Sequence, residues 1–408
     1  MNFHVRPIFS ALRRNHTGAV LVSVQIAIAL AVLVNAVYVV KQRIDLINRP
    51  TGLDVENVFA VASSGFTSRF NFESSVREDL AFLRGLDGVA DATAANSVPL
   101  GRSGSSIQLQ TQPPPKRETG PGINYFEMDE HGLNTLGLKL AAGRNFRPDE
   151  ILPRVSEKNV TDFVPQILMT RATAERLFPG QNAVGRTVYT NIGQPATIIG
   201  LIERMHGSWS DSDTVEEVFV KPRVPYTFGG PVYYLVRAKP GQLAAMMRAA
   251  EDHLATSNAE RVIHWVRPLS LFKQRSYLAD RNMGIFLATV IGLLLAITSI
   301  GIFGLATFNV GTRTKQIGTR RAVGARRIDI LCYFMVENWL ITTVGVVTGC
   351  VLALGVGYWL STKLALPRLD LYYLIGGVLV LWTIGQLAAM QPARRAARIS
   401  PAIATRTV

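Results

Sequence analysis

Only two cysteines, Cys332 and Cys350, occur in 408 residues, and none lies between Lys41 and Asn282. That excludes a disulfide framework for the long middle stretch, even in a compartment that would permit one. The two that exist have no ligand spacing and read as small apolar residues. Histidine is equally sparse: six residues, at 4, 16, 131, 206, 253 and 264, with no H-E-x-x-H and no other metal-ligand pattern. No G-x-x-x-x-G-K-[ST] occurs, so these residues offer no P-loop for nucleotide phosphates. GRSGSS (Gly101 to Ser106) is not a G-x-S-x-G elbow. Metal, nucleotide and nucleophilic chemistry therefore find no foothold here.

Charge is missing from particular places. Four windows hold no Asp, Glu, Lys or Arg: Gly18–Val40, Met283–Phe308, Trp339–Leu360 and Leu371–Met390. Each reaches the roughly 20 residues that cross a bilayer as a helix. The first is too long for a signal-peptide core and lacks a clean cleavage site, so it reads as a retained anchor. Ion-coupled transporters keep an ionisable residue within their spans. Its absence from these windows argues against a proton-driven pump and for energy supplied from outside the chain.

What is present is basic. The net charge is +14, and its placement decides its meaning. Three short segments (1–17, 309–338 and 391–408) carry thirteen basic residues against Asp329 and Glu337. The positive-inside rule puts all three in the cytoplasm, so the charge is topological and does not point to nucleic acid. With both tails inside, residues 41–282 lie outside the cytoplasm, and 361–370 form a short external loop. Val5–Asn15 fits an interfacial helix with Ile8, Phe9 and Leu12 on one face. Within the first span, Gln25 and Asn35 should face another helix instead of lipid.

The external segment reads as α/β. Strands are expected at Val58–Ala62 and Val89–Ala95 around a helix at Phe72–Leu86. The same order recurs at Val232–Arg237, Gln242–Leu254 and Val262–Val266. Two β-α-β units so far apart suggest one split subdomain with another inserted at about 123–225. The Gly/Ser/Pro-rich stretch Val98–Gly122 reads as a mobile loop or hairpin. Thr170–Leu177 is a helix candidate, Ala196–Glu203 a strand, and glycines 143, 180 and 185 are turn residues. From Leu269 a polar helical pattern runs into the second span without Pro or Gly, which suggests a stalk over about 269–282. The fold class expected is an α-helical membrane protein with four transmembrane helices and a large extracytoplasmic α+β domain of two subdomains.

Arg313–Val323 reads as a compact helix. Its wheel groups Arg313, Ile317, Arg320 and Arg321, an exposed basic face with a central Ile that suits a partner's cleft. Gly324 allows a bend before the chain enters the third span.

RTKQIGTRRAVGARRIDI (Arg313–Ile330) resembles the R-T-x-E-I-G-x-R-x-A-x-G-A-x-x-x-D-I signature of MacB/FtsX-type ABC transporter permeases. The resemblance extends through LRRN (Leu12–Asn15), AAGRNF (Ala141–Phe146), ERLFPGQNAVGRTV (Glu175–Val188) and PARRAARISPAIATR (Pro392–Arg406). It implies a permease that pairs with a second permease, as a homodimer or paralogous heterodimer, in the inner membrane. It also implies a separate ABC ATPase that carries the ATP and magnesium, with no cofactor on this chain. ATP-driven motion would pass to the external domain, a process called mechanotransmission, for efflux or extraction of a substrate, and a periplasmic adaptor or outer-membrane channel would be a further partner. By match of position the ATPase-coupling residues are Arg313, Lys315, Gln316, Ile317, Gly318, Arg320, Arg321, Gly324 and Ala325. Gln316 departs from the family's usual Glu. Two other readings compete: an FtsX-like regulator of an external partner, and a membrane sensor, which the lack of a signalling domain disfavours.

Overall fold

The computed structural model describes residues 16–67, 70–113, 121–153, 164–190, 193–210, 212, 214–225, 230–364 and 369–400. The expected N-terminal interfacial helix and the end of the basic tail lie outside them. The chain divides into two units, Met1–Asn48 with Asp280–Val408, and Arg49–Ala279.

The first unit contains α1 (His16–Ile47), and the second opens with β1 (Val58–Gly65), α2 (Phe72–Gly85) and β2 (Val89–Ala95). The insertion follows as β3 (Ser105–Ile107), β4 (Leu109–Gln110), β5 (Ile123–Met128), α3 (Gly132–Leu136), β6 (Leu140–Gly143), β7 (Gln166–Thr170), α4 (Arg171–Leu177), β8 (Thr187–Thr190), β9 (Pro195–Ile202) and β10 (Val218–Pro222). The second half of the split subdomain is β11 (Val232–Ala238), α5 (Leu243–Thr256), β12 (Arg261–Pro268) and α6 (Leu269–Ser276). Then come α7 (Leu278–Thr312), α8 (Thr314–Ala322), α9 (Arg327–Leu364) and α10 (Leu371–Ala397).

The two β-α-β halves form one four-stranded sheet in the order β12-β1-β11-β2. Every adjacent pair is antiparallel, so strands of the two halves interleave. VFAVA reads as an unbroken apolar run because both faces of β1 are covered. Phe59 and Val61 pack with α2 and α5 through Leu80, Leu83, Ala250 and Leu254. Val58 and Ala60 join a second core with Met128, Leu136, Val220 and Leu269. Asp79 of α2 accepts hydrogen bonds from the Tyr234 hydroxyl and the Arg261 guanidinium, uniting elements of both halves. Burial pushes the Asp79 carboxyl up and holds the Tyr234 phenol well above its ordinary range.

The insertion's sheet runs β3-β5-β10-β7-β9-β8-β4, with β6 also on β9. Only Gln108 separates β3 from β4, so the sheet's two ends meet and it curls into a barrel without a long free edge. This corrects the loop or hairpin expected over Val98–Gly122, of which 98–113 and 121–122 are described. Val98, Leu100, Leu109 and Gln110 are buried, and Ser105–Gln110 contributes two strands whose period-2 pattern was hidden by Gly, Ser and Pro. Thr170 caps α4 by accepting from the Thr173 amide. Gly143, Gly180 and Gly185 have φ of 76, 65 and 84°, the left-handed turns that their residue type implies. In AAGRNF, Arg144 clasps Glu150 through both oxygens at 2.6 and 2.7 Å. That bidentate pair holds the Glu150 carboxyl down at about 2.

The polar helix from Leu269 does not run unbroken into the second span. α6 stops at Ser276 and Tyr277 leaves the helical region. Tertiary contacts explain the break: Ser276 Oγ donates to the Leu100 carbonyl at 2.6 Å, and the Ser276 carbonyl accepts from Ser210 Oγ.

Four helices are long and apolar enough to cross a membrane: Thr17–Ile47, Leu278–Thr312, Arg327–Lys363 and Leu371–Ala397. Trp339 and Trp359, both exposed, lie about 30 Å apart along α9, the spacing of two interfacial belts. α1 is central, with Ile26, Leu30 and Val34 buried among α9 and α10. Close approach is set by glycine. A Cβ on Gly345 would stand 2.8 Å from the Ser23 carbonyl, and one on Gly349 would stand 3.0 Å from that of Ala27. The polar exceptions face helices as expected. Asn35 Nδ2 donates to the Ala353 carbonyl at 3.2 Å, and a Cβ on Gly301 would meet Gln25 Oε1 at 2.5 Å.

Candidate coupling site

Arg313 breaks the helix between α7 and α8 at φ −107°, ψ 14°. Its Nη1 donates to Glu337 Oε2 on α9 at 2.9 Å, and the Glu337 side chain is only 3% exposed. One turn further along, Ile317 is buried against Ile330, Phe334, Ala393 and Ala396. At the far end of α8, Arg321 Nη1 donates to the carbonyls of Ala397 and Ile399, each at 3.0 Å. These carbonyls lie at the C-terminal end of α10, where unsatisfied acceptors favour a cation. The short helix is thus fastened at both ends and plugged in its middle.

This arrangement corrects the face read from the wheel. Ile317 is not the centre of an exposed surface, and Arg313 and Arg321 turn inward to ion-pair and cap. Gly318 is buried too. The outward face is Lys315, Gln316, Thr319, Arg320 and Val323. Arg320 stands over the Tyr333 ring at 5.1 Å from its centre, and Val323 is 84% exposed. The wheel grouped the arginines by angle but could not tell which had acceptors within reach. Gly324 adopts φ +103°, a left-handed conformation that reverses the chain before α9. Ala325 is half-buried beside the Ile317 cluster. Sequence reasoning missed Glu337 and Asn338, both buried, although a lone acid at the mouth of an apolar run was a signal. Asn338 Nδ2 donates to the Gly385 carbonyl on α10 at 3.0 Å.

Among the described residues no group of His, Cys, Asp and Glu could hold a metal ion. The site is one small helix fastened to α9 and α10, with a mixed basic and polar face turned outward.

Two family models divide the chain between them. Residues 17–253 match the MacB-like periplasmic core domain, and residues 288–401 match the FtsX-like permease C-terminal region. The chain belongs to the MacB/FtsX-like ABC transporter permeases. The macrolide export ATP-binding/permease protein MacB of Campylobacter jejuni is 28% identical over 365 residues, covering 84% of this chain and 50% of that protein. The ABC transporter permease YknZ of Bacillus subtilis is 25% identical over 367 residues, covering 86% and 81%. The chain therefore spans about half the length of MacB but most of YknZ. The periplasmic region of MacB from Actinobacillus actinomycetemcomitans superposes loosely, with a TM-score of 0.36 at 16% identity, over 55% of this chain and 94% of that one. In this MacB/FtsX-like permease the match to the C-terminal model takes in all of α8, α9 and α10.

Proposed function

We propose that this permease converts ATP binding and hydrolysis on a separate ABC ATPase into motion of its α/β unit, and that the motion drives export. The observation that carries this reading is the fastening of α8. A helix clamped to α9 through Arg313, to α10 through Arg321 and to both through Ile317 cannot be pushed without moving spanning helices. Lys315, Gln316, Arg320 and Gly324 then form the ATPase-facing element, with Arg313, Ile317 and Arg321 as its anchors and the buried Gly318 and half-buried Ala325 behind them. Thirteen basic residues on three segments support placing this element in the cytoplasm and the α/β unit outside it, in the inner membrane. Export follows the name of the MacB relatives.

Charge reversal tests the docking face. With Lys315→Glu and Arg320→Glu together, the ATPase that co-purifies with the wild-type chain should fall at least about tenfold, since like-charge contacts at an interface cost several kcal/mol. Undiminished co-purification would rule out this face as the docking surface.

A second permease copy has a candidate face on α7, of whose apolar window only 11% is buried. Ala288, Gly292 and Ala296 lie at four-residue spacing on that exposed side, and nothing approaches Gly292 within 4 Å. Small residues at this spacing let two spanning helices pack closely. Gly292→Cys, with Cys332 and Cys350 changed to Ser, should cross-link two copies in native membranes. If only monomer is recovered after oxidation, α7 faces lipid and this pairing is wrong.

A further inference from the structure

Glu337 stands on the inward side of α8, away from its exposed face. It is a buried carboxylate whose Oε2 accepts from Arg313 and whose Oε1 meets no protein donor among the described residues. It lines a cavity of about 20 Å³ together with Asn309 of α7 and Asn338 of α9, room for a single water with three polar neighbours. Asn338 in turn binds the α10 backbone at Gly385. The carboxylate therefore stands where α7, α9 and α10 converge, and its one charged partner is the residue from which α8 starts.

A carboxylate in such a place is maintained only by its counter-ion and hydrogen bonds. Arg313 cannot be exchanged for the plain backbone of a loop, because its guanidinium supplies the only charge that compensates Glu337 among the described contacts. Nor can α8 rotate about its own axis without pulling Arg313 from Glu337 or Ile317 from Phe334. We infer that Glu337 is a positioning residue: through Arg313 it sets the angle of α8 against the spanning helices, so that force applied to α8 is delivered to them instead of being lost in a local rotation. The functional half of this inference rests on the proposed coupling role of α8. The structural half does not.

The two halves are tested separately on the full chain in detergent or nanodiscs. Glu337→Gln keeps the side chain's size and removes its charge. Amide hydrogen exchange across Thr314–Ala322 should rise at least tenfold, with no ATPase present. The charge swap Arg313→Glu with Glu337→Arg should bring protection back to within about threefold of wild type. In the presence of the co-purifying ATPase, Glu337→Gln should bind it within about twofold of wild-type affinity yet lose at least tenfold of the permease-dependent ATP turnover, and the swap should recover it. Unchanged exchange in Glu337→Gln overturns the latch outright. Affinity and turnover falling together, or turnover staying at the wild-type level, overturns the positioning role. Should Glu337→Gln fail to fold, the swap decides alone: folded and protected supports the latch, misfolded overturns it. A wild-type chain that recruits no ATPase sinks the coupling reading while the exchange result still judges the latch.

Discussion

Replacing Asp79 with alanine is expected to lower the thermal midpoint of the α/β unit by roughly 6–20 °C, as a loss of about 3–5 kcal/mol in a domain of this size would do. Asp79 and Arg261 are 3% and 2% exposed as side chains, and their atoms approach to 2.8 Å. The Tyr234 hydroxyl also donates to the carboxylate. Burial raises the Asp79 pKa despite these two partners. Taking two charges out of water costs much of what their attraction returns, as in buried ion pairs generally. Removing one partner is a different matter, because it leaves a buried guanidinium with no counter-charge and a phenol with no acceptor. Melting of the full chain in detergent, followed by circular dichroism, reads the effect. The double variant Asp79→Ala, Arg261→Met should recover most of the loss. A single variant within about 2 °C of wild type would mean that the triad is irrelevant to the joining of the two halves.

The second large effect belongs to the membrane unit. Gly349→Leu should destroy the packing of α1 on α9. An added Cβ at Gly349 already stands 2.9 Å from Leu30 Cβ and 3.0 Å from both Cα and O of Ala27. Backbone atoms of a neighbouring helix cannot swing aside as a flexible side chain can. Overpacking of this kind costs about 1–3 kcal/mol and more where the backbone must move. Displacing α9 would also strip the Asn35 amide from the Ala353 carbonyl. Gly376→Leu on α10 is the control, since nothing lies within 4 Å of Gly376. Monodisperse yield on size-exclusion chromatography should collapse for the first variant and remain for the second. Equal behaviour of the two would show that α1 and α9 can separate freely.

Much of this organisation was legible in residues. Charge-free windows marked the spans because hydrocarbon cannot solvate an ion, and that rule depends on no tertiary detail. The split subdomain was legible because the order of β1, α2 and β2 recurs in β11, α5 and β12 after a long insertion; the interleaving of its strands was not. Three further things were not. Ser105–Gln110 pairs with strands more than ten residues away, and its composition is that of a turn. Tyr277 ends α6 because Ser276 is tied to Leu100 and Ser210, partners that no local window contains. The inward turn of Arg313 and Arg321 depended on acceptors 24 and more than 70 positions off. Helical periodicity reports angle around an axis and is silent on which side holds a neighbour.

The pairing of β1 with β12 has a bearing on how the α/β unit is carried in the chain. Phe59 stands opposite Pro268, so the first and last strands of the α/β unit are neighbours, roughly 5 Å apart. Within the membrane unit, Arg43 of α1 and Asp280 of α7 form an ion pair at 2.8 Å. Each unit thus holds its two ends of chain close together by contacts of its own. The α/β unit is an insert whose two ends lie close together, the condition under which one domain can be carried inside another.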